Sequence, residues 1–249
     1  MGLTYAFADL HGRHDMLLKA LDAIEAHAGA RRAKIVALGD YVDRGPDSRA
    51  ILDTLMAGPR RAGDALVCIK GNHEDIMSIC LRDPAQLPWW IANGGWQTLL
   101  SYGYQDSDTL RPLKQPLSAH LDWIDALPLT HADEHRLFVH AAVHPDRPLD
   151  DQMSEWLLWG LYAADDGRGH GGRHVVHGHH QFVDGPRIYE GRINLDTFAW
   201  LTGRLVVGVF DDGRAGGPVD LIEVVGEPHP MRDRLEAAAA AKAAAAAGR

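Results

Sequence analysis

The sequence predicts an α/β fold, with mixed β-sheets flanked by helices and a helical insert. Three observations carry that reading. Short continuous apolar runs alternate with segments of helical periodicity through the first seventy positions. Every such run ends in a cluster of polar and glycine residues. At 249 residues, 46% hydrophobic and 24% charged, the chain can bury a sizeable core without disulfide staples.

The apolar runs at 3–8, 34–38, 65–70, 136–140 and 174–177 read as buried strands. Leu17, Leu21, Ile24 and Ala28 recur at 3.6-residue spacing. Ile51, Leu52, Leu55 and Met56 do the same behind Asp47-Ser48, residue types that suit a helix N-cap. Strand–helix–strand alternation with unbroken apolar strands implies parallel pairing. Residues 75–130 read as a mainly helical insert, interrupted at Asn93-Gly94-Gly95. Short strands are expected at 187–189, 192–195, 205–210 and 219–224, with turns at Glu190-Gly191 and Asp212-Gly213. One domain is expected over residues 1–231, followed by an alanine-rich tail at 232–249 that has helix propensity but no large apolar side chain to dock.

The formal charge of −9 argues against a nucleic-acid partner, because an acidic surface repels phosphate backbones. Two cysteines, Cys68 and Cys80, cannot build a disulfide framework. The N-terminus lacks a basic-then-apolar leader and no apolar run reaches membrane-spanning length, so a cytoplasmic protein without a membrane partner is expected. Histidine is abundant: fifteen in all, with His131, His135, His140, His144, His170, His174, His177, His179 and His180 in one stretch. Imidazoles beside carboxylates make metal binding the first chemical question.

The strand ends sharpen it. The first run leads into Asp9-Leu10-His11-Gly12, the second into Gly39-Asp40-Tyr41-Val42-Asp43-Arg44-Gly45, and the third into Gly71-Asn72-His73-Glu74. The fourth stops at His140 and the fifth at His177-Gly178-His179-His180. Ligands of open α/β sheets bind beyond the carboxyl ends of strands, so these clusters are expected along one edge of one sheet. Carboxylate, imidazole and amide oxygen without thiolate suit Mn, Fe, Zn or Co. Such a set exceeds what one catalytic ion with an open position needs, and fits two ions about 3.5–4 Å apart sharing a carboxylate.

In these ordered motifs the sequence resembles the PPP-type, calcineurin-like metallophosphoesterases, which include bacterial serine/threonine protein phosphatases and diadenosine tetraphosphatases. Gly-Asp-x-x-Asp-Arg-Gly and Gly-Asn-His-Glu are intact, and the resemblance spans roughly residues 3–210. It implies a sandwich fold and two divalent ions, manganese foremost, with iron, zinc or cobalt as alternatives. Asp9, His11 and Asp40 would hold one ion; Asp40, Asn72, His140 and His179 the other. Arg44, with Asn72, would bind phosphate, and His73, oriented by Asp43, would protonate the leaving oxygen after attack by a water bridging the ions. The implied reaction is phosphate monoester hydrolysis, phosphoproteins being the first expected substrate. Dinucleoside polyphosphates or other small phosphates are the alternative, and an inactive metal- or phosphate-binding module is a third.

The chain also departs from the family pattern. Ala8 replaces a glycine, and His140 is followed by Ala141-Ala142 where the second position is usually glycine. His180 stands where threonine is common and could add a ligand or a substrate contact. The arginine expected after Leu157-Leu158-Trp159 is missing, leaving Arg168 or Arg173 as candidate substitutes. Strand alternation turns His177 away from His179 and into the core. The tryptophans Trp89, Trp90, Trp96, Trp156 and Trp159 read as packing, with one free to stack on a substrate base.

Overall fold

The computed structural model describes residues 2–105 and 116–233; positions 106–115 of the expected insert and the tail from 234 onward lie outside the described residues. Along the chain run β1 (Leu3–Phe7), α1 (His14–Ala28), β2 (Ala33–Ala37), α2 (Ser48–Met56) and β3 (Ala65–Cys68). The helices α3 (Asn72–Arg82), α4 (Leu87–Trp90), α5 (Trp96–Ser101) and α6 (Leu117–Ala126) follow. Next come β4 (Thr130–Ala132), β5 (Arg136–Val139), α7 (Ser154–Trp159), β6 (His174–His177), β7 (Arg187–Ile188) and β8 (Arg192–Asn194). The last elements are α8 (Ala199–Thr202), β9 (Arg204–Asp211) and β10 (Asp220–Val225).

These strands form two five-stranded sheets, ordered β10-β9-β1-β2-β3 and β4-β5-β6-β8-β7. Each contains three parallel strands, β1-β2-β3 at one side of the first and β5-β6-β8 in the middle of the second, and the remaining strands pair antiparallel. The expectation of a single sheet is therefore corrected: three of the motif-bearing strands belong to one sheet and two to the other. Their carboxyl ends still meet, because the sheets stack face to face.

Side-chain alternation explains the unbroken apolar runs. In β1, Tyr5 and Phe7 face the helices with Met16, Leu17, Ile24 and Leu52. Ala6 turns the other way and packs in the layer between the sheets, with Val36, Phe138, Val176, Ile193 and Phe210. Both faces are thus covered. Of the five motif-bearing strands β3 is the least buried, since it is an edge strand whose Ala65 is exposed. At the start of α2 neither Asp47 nor Ser48 caps the helix; Ser48 Oγ instead accepts a hydrogen bond from the Asp43 amide at 3.1 Å. The insert helices break where expected, at Gly94, whose φ is 102°. Among the described residues no helix is long and apolar enough to cross a membrane.

Phe138 is fully buried between the sheets and meets Phe210 edge-on, with centroids 6.1 Å apart. Phe138→Ala is expected to cost about 3–5 kcal/mol by urea denaturation at unchanged m-value. A loss below about 1 kcal/mol would mean that this layer does not hold the sheets together.

Candidate metal centre

The five strand-end loops converge, and their backbone is strained where they do. Among the described residues, the non-glycine positions with left-handed φ are Asp9, His11, Asp40, Asp43, Arg44, His179 and Phe198. All but Phe198 belong to the motifs singled out in the sequence. Such a conformation costs about 1–2 kcal/mol per residue and persists only where surrounding structure enforces it. Two glycines show how tightly the loops touch. A Cβ on Gly39 would lie 2.5 Å from the Gly71 amide nitrogen, and one on Gly178 would lie 2.1 Å from Asp9 Oδ2. Ala8 and Ala142 are not left-handed, so neither departure from the family pattern is strained.

Hydrogen bonds to backbone carbonyls fix the imidazoles. His11 Nδ1–H donates to Val42 O at 2.9 Å, and His140 Nδ1–H to Leu38 O at 2.9 Å. Each therefore turns a lone pair on Nε2 toward Asp40, 3.3 Å from Oδ2 for His11 and 3.4 Å from Oδ1 for His140. Burial lowers the pKa of both rings and holds them neutral. Burial, aided by His140, likewise takes His179 down to about 3.

The Asn72 amide oxygen completes the cluster, 2.9 Å from His140 Nε2, 3.2 Å from His179 Nδ1, and 3.2 and 3.3 Å from the two Asp40 oxygens. With His140 neutral and its proton committed to Leu38, that contact sets acceptor against acceptor. A turned amide or a cation would relieve it. The cation also answers a second observation that the turned amide leaves untouched. Asp9 Oδ1 is buried without a partner, and burial, then Asp196, then Asp40 push the Asp9 pKa well up. Divalent ions fit this donor set.

Among the described residues, ligand atoms within 4.8 Å of one another fall into two groups, His11–Asp40–His73 and Asp40–His140–His179. Asp40 belongs to both. Asp9 is in neither; it joins the site by accepting the His179 amide at 3.1 Å.

His73 sits in the first group, but its Nδ1 donates to Asp43 Oδ2 at 2.7 Å. Asp43 is itself clamped from the insert: Trp90 Nε1 donates to its two oxygens at 2.9 and 3.0 Å, and Thr98 Oγ1 donates to Oδ1 at 2.7 Å. Burial alone would lower the His73 pKa, but the Asp40 charge and the Asp43 hydrogen bond outweigh it and raise the value. Arg44 caps the first group, its NH1 2.6 Å from His11 Nε2 and its NH2 2.9 Å from His73 Nε2. Glu74 ties the loops beneath, accepting the amides of Asp40 at 2.8 Å, Tyr41 at 2.8 Å and Gly71 at 2.9 Å. Burial, with Asp40 nearby, pushes its pKa up to about 7.

Some expectations end elsewhere. His180 donates from Nε2 to Gly160 O at 3.1 Å, so that nitrogen is not a ligand. Arg168 pairs with Asp166, and Arg173 donates to Asp133 O, both ahead of β6 and so at its far end from His179. His177 is a core residue as expected, receiving Arg192 NH1 at 3.0 Å. Sequence reading missed Trp90, Thr98, Glu74 and Asp196. Asp196 is buried with Oδ2 unpartnered, and burial, then Asp40, raise its pKa to about 7. A signal for it existed: it closes the expected strand 192–195, and β8 pairs in parallel with β6 and so ends on the same edge.

The profile of the calcineurin-like phosphoesterase family matches residues 3–209. The chain belongs to that family. Over 145 residues it is 34% identical to a symmetrical bis(5'-nucleosyl)-tetraphosphatase of Nitrosomonas europaea, covering 57% of this chain and 46% of that protein. Over 147 residues it is 30% identical to serine/threonine-protein phosphatase 1 of Salmonella typhimurium, covering 58% and 59% respectively. The matches thus span about half the length of these curated relatives. A crystal structure of a putative diadenosine tetraphosphatase superposes with a TM-score of 0.61 at 22% identity, over 91% of this chain and 94% of that one. A protein serine/threonine phosphatase from Saccharomyces cerevisiae gives 0.61 at 16%, over 92% and 81%. At those identities the likeness is one of fold. For this family member, Asp40→Asn is expected to lose most bound metal after dialysis against Mn²⁺, read by elemental analysis, whereas Glu190→Gln, remote from the centre, should retain it. Equal occupancy in both would remove Asp40 from the centre.

Proposed function

We propose that this chain hydrolyses phosphoric esters by direct attack of water at phosphorus, on a centre in which Asp9, His11, Asp40, Asn72, His140 and His179 hold two divalent ions. The observation that carries the proposal is the pair of ligand groups joined at Asp40. Bound ions would supply an activated water and neutralise phosphoryl charge. Arg44 offers the planar fork of its guanidinium to the phosphoryl oxygens, with Asn72 as a second phosphate contact. As the water oxygen bonds to phosphorus, the bond to the leaving oxygen breaks and that oxygen takes a proton from His73 Nε2, which is protonated once Arg44 has turned from that nitrogen to the phosphoryl oxygens. Asp43 keeps the other ring proton in place, so a single nitrogen faces the reaction. The described helices of the insert hold this dyad: Trp90 and Thr98 grip Asp43, and Gly94 O accepts the Arg44 amide at 3.1 Å.

Two substrate classes suit this chemistry. Gly-Asn-His-Glu and the intact Asp-Arg-Gly element support phosphoserine or phosphothreonine in proteins. The tetraphosphatase relatives support dinucleoside polyphosphates, and so does the missing arginine after Leu157-Leu158-Trp159. Phosphate release from a phosphothreonine peptide against cleavage of diadenosine tetraphosphate, both with Mn²⁺, separates them: the preferred class should lead by at least tenfold in kcat/KM. Loss of all turnover on adding chelator is expected for either, and turnover that survives complete chelation would contradict the metal mechanism.

His73→Ala is expected to lower kcat about 10²–10⁴-fold for an alkyl phosphate, and far less for p-nitrophenyl phosphate, whose leaving group needs no proton. Equal losses on both substrates would exclude the acid role.

A further inference from the structure

One cavity touches the proposed reaction site without being used by it. It has a volume of about 350 Å³ and lies between Arg44, Asn93, Gly94 and Gln97 on one side and Trp200 and His229 on the other. Trp200 lies on α8, two residues past the left-handed Phe198, and its ring centroid is 5.9 Å from the Arg44 guanidinium carbon. His229 meets the indole edge-on at 5.4 Å and 68°, and the His229 amide donates to Leu201 O at 2.9 Å, which ties this late segment to α8. The insert wall contributes side-chain amides, with Asn93 anchored through Nδ2 to Trp89 O at 2.9 Å.

The lining is that of a base-binding pocket. Aromatic rings offer faces on which any planar base stacks, and amides offer both donors and acceptors to a base edge. Among the described residues no carboxylate lines the cavity, and the one full cation there is the arginine already assigned to phosphate. The volume falls within the about 300–1,000 Å³ of small-molecule sites. A phosphoserine side chain anchored at Arg44 has too few atoms to fill it. We infer that this cavity is a subsite for a nucleobase, joined through its sugar and phosphate to the phosphoryl group held by Arg44. The inference rests on the hydrolytic reading above and narrows it to base-bearing phosphates, with Trp200 as a specificity-determining residue.

Equilibrium dialysis of adenosine 5′-monophosphate against the Mn²⁺-loaded protein tests it directly, with inorganic phosphate as the base-free control. Trp200→Leu should weaken nucleotide binding roughly 5- to 150-fold, the worth of one base–aromatic stack. The loss on inorganic phosphate should be much smaller, and Trp200→Phe should restore most of the affinity. The ratio of kcat/KM for diadenosine tetraphosphate over tripolyphosphate should fall in the same order. Equal losses on nucleotide and phosphate, no loss on the nucleotide, or a phenylalanine variant as poor as leucine would each overturn the subsite. Failure of the hydrolytic reading looks different: no phosphate ester is turned over, yet nucleotide binding still depends on the ring at position 200.

Discussion

The architecture turns on the crowding of acceptors around Asp40. One carboxylate is met by imidazole lone pairs from two sides and by an amide oxygen, with Asp9 and Asp196 buried nearby. Burying unpaired carboxylates is expensive, and no ammonium or guanidinium neutralises Asp9 by direct contact among the described residues. Divalent cations would turn that liability into binding energy. The left-handed backbones of the strand-end loops then have a purpose, since extended or helical geometry at those positions would carry the donor atoms apart.

The stacking of two sheets is what makes the convergence possible. Had all five motif strands lain in one sheet, as the sequence suggested, its twist and the spacing between strands would have spread the loops too widely to share one carboxylate. Face-to-face packing brings the ends of β5 and β6 over those of β1, β2 and β3. The small Ala6 and the large Phe138 belong to the same inter-sheet layer, which sets that spacing.

Much of this was legible in the chain itself. Strand runs ended within a residue or two of their observed limits because apolar continuity and flanking glycines both mark them, as at Ala37 before Gly39 and at Cys68 before Gly71. The ligand candidates were legible because each one closes an apolar run. Which motif strands share a sheet was not, since pairing partners leave no local mark. Trp90 and Thr98 were invisible for a related reason: they act across 47 and 55 residues on Asp43, and an indole donor has the same sequence signature as a packing ring. Ser48 looked like a helix cap and serves the Asp43 amide instead.

Anomalous diffraction at the manganese edge, from crystals grown with Mn²⁺, tests the central claim most directly. The account predicts two peaks bridged by the Asp40 carboxylate, one on the His11 side and one between Asn72, His140 and His179. No ordered manganese at the strand ends, or peaks that leave Asp40 uncoordinated, would contradict it.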